Sequence, residues 1–454
     1  MAVKTRDMTR GKPVGHIVTF ALPLMLGNIF QQLYMVVDTM VVGKALGVSA
    51  LAALGAVDWL SWMMLGLTQG MMQGFAIPMA QAFGAKEEGR LRRVVGCSAV
   101  LSVVCAALFV LMGQLIARPV LSILHTPEAI VGDALTYLRV IFYGLPVVVA
   151  YNLFACILRS MGDGGTPLRA MVAAAFLNIG LDLLFVLVFH WGIAGAALAT
   201  VIAQAFSGLF CLYFLLKNPM LRLSRQDFAL NGAMVMQLFR LGTPMGIQNV
   251  MIAIGGMILQ SVVNGFGVLF LAGYTASNKL YGILEMASTS YGYAMITYVG
   301  QNLGAGEFGR IRKGYRSAMV IAIGTSVVVG GLMILCGRTV LSWFISGTPE
   351  EAAITMKAGY HYLVVMSAAL PALYVLHVSR SATQGMGNTV LPMVSGVTEL
   401  VVRTAFAVIL PISMGGEGVF YAEVLAWLGA DLVLIPSYYS TLHKQERLWN
   451  TQIE

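Results

Sequence analysis

The sequence predicts an all-α membrane protein: twelve transmembrane helices in two parallel six-helix lobes around a central cleft. Three observations lead there. Hydrophobic residues make up 58% of the 454-residue chain and charged residues only 11%, against about 25% charged in soluble domains, so the apolar surface has no water-soluble fold to hide in. Apolar stretches that supply the roughly 20 residues of a membrane crossing recur along the whole chain. The second half of the chain also repeats the first.

The spans run 14–42, 48–80, 94–117, 131–156, 167–189, 193–216, 236–264, 268–300, 316–337, 353–384, 390–411 and 417–440. The first follows a basic, polar N-terminus. It is too long for a signal-peptide core and no small-residue cleavage site follows it, so it is expected to be retained. Connections are short, and the longest charged stretch runs from Lys217 to Arg240. That stretch divides the chain into an N-terminal lobe (1–216), a cytoplasmic linker (217–235) and a C-terminal lobe (236–454).

With the N-terminus inside, cytoplasmic segments hold 21 Lys and Arg, from Lys4 through Arg380 to Arg447, and the other side holds 4: Lys44, Arg118, Arg338 and Lys357. The positive-inside rule then places both termini in the cytoplasm and the chain in the cell inner membrane. The net charge of +8 is a topology signal whose partner is the anionic bilayer surface, which argues against a nucleic-acid partner.

The repeat is visible residue by residue. Ala21-Leu-Pro-Leu-Met-Leu-Gly-Asn28 matches Gly242-Thr-Pro-Met-Gly-Ile-Gln-Asn249. Gln81-Ala-Phe-Gly-Ala-Lys-Glu-Glu-Gly-Arg-Leu-Arg92 matches Gln301 to Arg312 at a shift of 220, and Met161-Gly162 through Pro167 matches Met386-Gly387 through Pro392. Six spans per half is an even number, so both halves enter from the same side as parallel repeats, an arrangement suited to alternating access.

Charged groups inside a membrane cost about 2.5–3.5 kcal/mol each and default to functional candidates. Asp38 lies deep in the first span, and Gln31 and Tyr34 share its helix face, so this stripe faces other helices or a watery cavity. Ion coupling and a structural hydrogen bond are the competing roles. Asn178 and Asp182 share a face of the fifth span and can hold a proton network or ligate sodium, with hydroxyls from Thr200 and Tyr137. Pro23 breaks the first span's hydrogen-bond ladder and is a helix-bending point or a static kink. Glu399 and Arg403, four apart, are expected to pair. Glu285 is a possible contact for a cationic substrate. Met63, Met64, Met71 and Met72 line the cleft or pack the core. Asp58 reaches interfacial water. Lys279, Glu423 and Asp431 take no role from the sequence.

The scattered cysteines lack metal-ligand spacing. The histidines, His125 among them, form no catalytic group and no phosphate loop is present, so neither an enzyme nor a cofactor is expected.

Leu22-Pro23, Val37-Asp38-Thr39, Val42-Gly43, Leu158-Arg159 through Pro167, Asn178-Ile-Gly-Leu-Asp182 and Gly195-Ala-Ala-Leu-Ala-Thr200, in this order on these spans, resemble the multidrug and toxic compound extrusion (MATE) family, in its DinF-like branch. The resemblance implies a secondary active multidrug exporter: antiport of small organic, often cationic or amphipathic, compounds against protons or sodium ions. It implies an ion-coupling site of Asp38, Asn178, Asp182, Thr200 and Tyr137, with sodium, where used, held by Asp38, Asn178, Asp182 and Thr200. Gln31, Tyr34, Glu285, Met63 and Met64 are the candidate substrate contacts, and a monomer is expected. A lipid-linked precursor flippase of related architecture is the alternative. Under the repeat, Leu259 stands at the place of Asp38, Arg403 at that of Asn178 and Ala407 at that of Asp182, so coupling is expected in the N-terminal lobe alone.

Overall fold

A computed structural model describes residues 5–123, 126–345 and 348–453; Lys4 and His125 lie outside them. Thirteen α-helices follow one another: α1 Pro13–Leu46, α2 Val48–Gly84, α3 Glu88–Ile123, α4 Glu128–Tyr143, α5 Leu145–Ser160, α6 Gly165–Asp182, α7 Gly192–Leu216, α8 Gly232–Asn264, α9 Val268–Gly304, α10 Phe308–Ser342, α11 Pro349–Gly385, α12 Val390–Met414 and α13 Gly418–Ile453. Among the described residues, nine segments are long and apolar enough to cross a membrane, ten with the bent pair α4–α5. Counting α12 and α13 apart, and adding α9 with its charges Lys279 and Glu285, gives the twelve spans of the sequence.

Two spans depart from the uniform helices expected. The fourth is broken: α4 and α5 meet at 46°. Pro146 has no N–H to return to Phe142, so the ladder fails there. The site also needs Gly144, where a Cβ would stand 2.4 Å from Val201 Cγ2 on α7. The fifth is α-helical only to Asp182 and continues as a π-helical stretch, Leu183–Val188, on which Phe185, Phe189 and Trp191 cluster with ring centroids 4.8 to 6.0 Å apart.

The repeat holds at the level of backbone turns. After α2, Ala85, Lys86 and Glu87 donate to the carbonyls of Gln81, Phe83 and Ala82, and after α9, Ala305, Gly306 and Glu307 donate to Gln301, Leu303 and Asn302. Lys86 and Gly306 both have positive φ, 60° and 72°, as do Gly47 and Gly267 (85° and 90°) and Gly162 and Gly387 (both 83°). These are conformations that glycine adopts without strain.

Contacts group the chain into two compact units. The first comprises Met1–Met8 with Leu22–Val250, and the second Thr9–Ala21 with Met251–Glu454. The core of the first is built from α2, α3, α4, α5 and α7, including Phe75, Leu101, Phe142 and Leu153. Within it, Gly70 and Gly74 of α2 pack directly on the backbone of α8 at Met245 and Gly242, where a Cβ on either would meet backbone at 2.5 Å. The first of the two linker turns ends at Leu221; the second is capped by Ser224, whose N–H and hydroxyl donate to Asp227 at 2.7 and 2.8 Å. In the second unit, small residues bring α9 and α11 together: a Cβ on Gly273 would lie 2.4 Å from Thr355 O, and Ser277 donates to Gly359 O at 2.6 Å. Helices in lipid associate through such close small-residue packing.

Candidate functional site

The first unit brings the predicted N-terminal residues together. α1 carries Gln31, Tyr34 and Asp38 on one face, and Gln31 donates to or accepts from Tyr34. α6 places Asn178 and Asp182, both fully buried, one turn apart. The carboxyls of Asp38 and Asp182 lie within hydrogen-bonding reach of each other. Neither Asp182 oxygen has a donor, nor has Asp38 Oδ1, and both polar atoms of Asn178 are without a partner. Two ionised carboxylates are both acceptors and cannot bond to each other. Two full charges at 4 Å repel by about 4 kcal/mol at the effective dielectric of a protein interior.

Tyr137 on α4 is in electrostatic range of Asp38, Tyr34, Asp58 and Asp182. Asp58, read from the sequence as reaching water, is exposed and adds a third carboxylate to the surroundings of Tyr137. Thr200 on α7 donates to Ala196 O at 3.3 Å, which leaves its oxygen lone pairs for a ligand. Gln31, Tyr34 and Thr200 line one cavity of about 30 Å³ together with Tyr151, Gln204 and Ser207. Gln204 Oε1 is buried without a partner. Tyr151 and Gln204 are absent from the sequence-derived site; a signal for Gln204 existed in its i, i+4 spacing from Thr200 on the same helix.

Other candidates lie elsewhere. Met64 is 1% exposed inside the hydrophobic core and Met63 packs against it. Pro23 sits within an α1 that continues helical on both sides. Glu285 belongs to the second unit, in electrostatic range of Glu423, Glu399, Arg403 and Arg380.

That second unit holds a buried ionic chain. Arg403 donates to Glu399 at 2.7 Å, as its spacing predicts, and also to Glu423 at 2.8 Å, while Arg380 donates to the other Glu399 oxygen at 2.8 Å. Arg380, counted in the sequence among the cytoplasmic charges, is 7% exposed. It is drawn into the protein by Glu399, whose second oxygen a single arginine leaves unsatisfied. Spacing along one helix could not show this, because Arg380 and Glu423 come from α11 and α13.

Known proteins agree with this architecture. The MatE family model matches the chain twice, over residues 23–184 and 244–409. A probable multidrug resistance protein of Bacillus subtilis (strain 168), YoeA, is 27% identical over 448 residues, covering 94% of both chains. A second from the same organism, YpnP, is 30% identical over 311 residues, 68% of this chain and 69% of its own length. A solved MOP superfamily transporter from Pyrococcus furiosus Vc1 shares the fold at a TM-score of 0.89, with 22% identity and 99% of each chain covered. The two family matches, one per half on the same helices that carry the repeat, show that the chain belongs to the MatE family of membrane transporters, which are not enzymes.

Proposed function

We propose that this protein is a secondary active exporter of small organic compounds, driven by the return of protons or sodium ions through the N-terminal site. The facing carboxyls of Asp38 and Asp182, with no donor between them, carry this reading. A proton bound there neutralises one carboxyl. A sodium ion would take both carboxylates, with Asn178 Oδ1 and Thr200 Oγ1 as further oxygen ligands. Either binding event removes the repulsion between α1 and α6, on the helix that also carries Pro23. The cavity of about 30 Å³ beside Gln31 and Tyr34 has room for a water or a bare ion.

The relatives' names, probable multidrug resistance proteins, support the substrate class. The excess of basic residues on one side supports cytoplasmic termini in the cell inner membrane. The lobes 1–216 and 236–454, joined by the linker 217–235, are the bodies whose rearrangement gives alternating access, in a protein acting as a monomer. A flippase for lipid-linked anionic precursors calls for a cationic site, whereas the N-terminal site is acidic. The test is movement of a fluorescent cationic dye in proteoliposomes under a proton gradient, a sodium gradient or none. One of the two gradients is expected to drive the dye. Transport indifferent to both would overturn the proposal.

A further inference from the structure

The buried ionic cluster of the second unit contains more acid than base. Four carboxyls, Glu285, Glu399, Glu423 and Asp431, surround two guanidiniums, Arg380 and Arg403. Three of these groups hold one another: Glu399 takes one bond from each arginine, Arg403 Nη2 serves both Glu399 and Glu423, and Arg403 Nε lies 2.8 Å from the second Glu423 oxygen. Asp431 on α13 is not. It is 7% exposed, in electrostatic range of Arg380 and Glu399, and its Oδ1 is buried without a donor. Arg380 Nε is likewise buried without an acceptor. A charged carboxylate and a guanidinium N–H in range of each other, both dehydrated and both unsatisfied, is a costly arrangement. It ceases to be costly on the acid's side if the carboxyl is neutral.

We propose that Asp431 is a proton-binding site of the C-terminal half, and that its occupancy decides whether Arg380 serves Glu399, as in this structure, or turns to Asp431. With the proton on, Asp431 asks nothing of Arg380 and the chain Arg380–Glu399–Arg403–Glu423 is complete. With the proton off, Arg380 Nε faces a full negative charge, Glu399 loses one of its two donors, and the ties among α11, α12 and α13 are redistributed. Tyr315 on α10, in electrostatic range of Asp431, is bonded to Ser379, 2.9 Å away, and His377, one turn from Arg380 on α11, is bonded at Nδ1 to Leu373 O. On α12 the facing acid is Glu399 itself, and on α13 Tyr438 stacks on Tyr315 at 3.7 Å. A metal cation is disfavoured by Arg380, and among the described residues no group of three His, Cys, Asp or Glu could hold one. The site is no copy of the N-terminal one, whose matching positions are Leu259, Arg403 and Ala407.

Infrared spectroscopy tests it, because a protonated carboxyl has a C=O stretch that an ionised one lacks, and carbon-13 aspartate separates Asp from Glu bands. The measurement is made in an Asp38→Asn, Asp182→Asn background, so that the N-terminal pair is silent. The expected result is a protonated-aspartate band at neutral pH that disappears with Asp431→Asn. Asp431→Glu, which keeps a carboxyl in place, should move the band from the labelled to the unlabelled position. Sodium should leave it unchanged. In the otherwise wild-type chain, Asp431→Asn should melt within a few degrees of wild type, since it replaces one neutral group by another. A band unaffected by either substitution would overturn the proposal. So would a band erased by sodium, or an Asp431→Asn variant that loses as much thermal stability as Glu399→Gln.

Discussion

The carboxyls of Asp38 on α1 and Asp182 at the end of α6 face one another with no hydrogen-bond donor between them. Asp182 is also the last residue before the helix changes to π geometry, and π turns inside α-helices often mark functional sites. Replacing either carboxyl by its amide removes a repulsion and keeps the shape. Asp38→Asn and Asp182→Asn are therefore expected to fold with melting temperatures equal to or above that of wild type. A melting curve in detergent checks this, and a fall of several degrees would mean that the pair holds the unit together.

Glu399 behaves in the opposite way. It lies 4% exposed between Arg380 and Arg403, so Glu399→Gln strands buried positive charge. Breaking a buried ion pair by removing one partner costs about 3–5 kcal/mol. The variant should lose that much stability and give a poor yield, while ion-driven transport per folded molecule stays largely intact. Equal stability with abolished coupling would move the coupling site into the C-terminal half.

Lys86 occupies a left-handed turn with φ 60°, where its repeat counterpart is Gly306 with φ 72°. A residue with a Cβ pays about 1–2 kcal/mol in this region. Lys86→Gly should accordingly raise stability by about 1 kcal/mol, after allowance for the freer unfolded chain. With 21 basic residues on one side of the spans against 4 on the other, the loss of one should not change topology. Chemical denaturation of the two proteins side by side measures the difference.

The linker supplies a prediction about pH. The backbone N–H of Ser224 holds the partly exposed Asp227 carboxyl below the usual carboxylate range. A carboxyl lowered in the folded state contributes stability above its unfolded value and loses it as pH falls through the folded one. The cap should stay closed at neutral pH and open only in acid. Asp227→Asn should make the bond after Arg225 more susceptible to trypsin at neutral pH. Cleavage at the wild-type rate would show that the cap does not protect the turn.

The spans, the repeat and the individual buried charges were legible because each is a local pattern: a long apolar run, a fixed shift, or a lone Asp in a helix. Glu399 and Arg403 could be paired because one turn of one helix separates them. Arg380, Glu423 and Asp431 joined no group in the sequence, since they come to Glu399 of α12 from two other helices, α11 and α13. The break at Gly144 had its signal in Pro146. The π stretch had none, because Leu183–Val188 is an ordinary apolar run in sequence, and its contacts, Phe185 against Trp191 and Gly195, are tertiary.

Gradient-driven dye flux in proteoliposomes, measured for wild type, Asp38→Asn, Asp182→Asn and the double variant, tests the coupling pair most directly. If the two carboxyls bind the coupling ion as one unit, each single variant loses about tenfold or more of the gradient-dependent flux. The double variant is then no worse than the more severe single one, because groups acting together are not additive. Wild-type flux in either single variant would contradict the account.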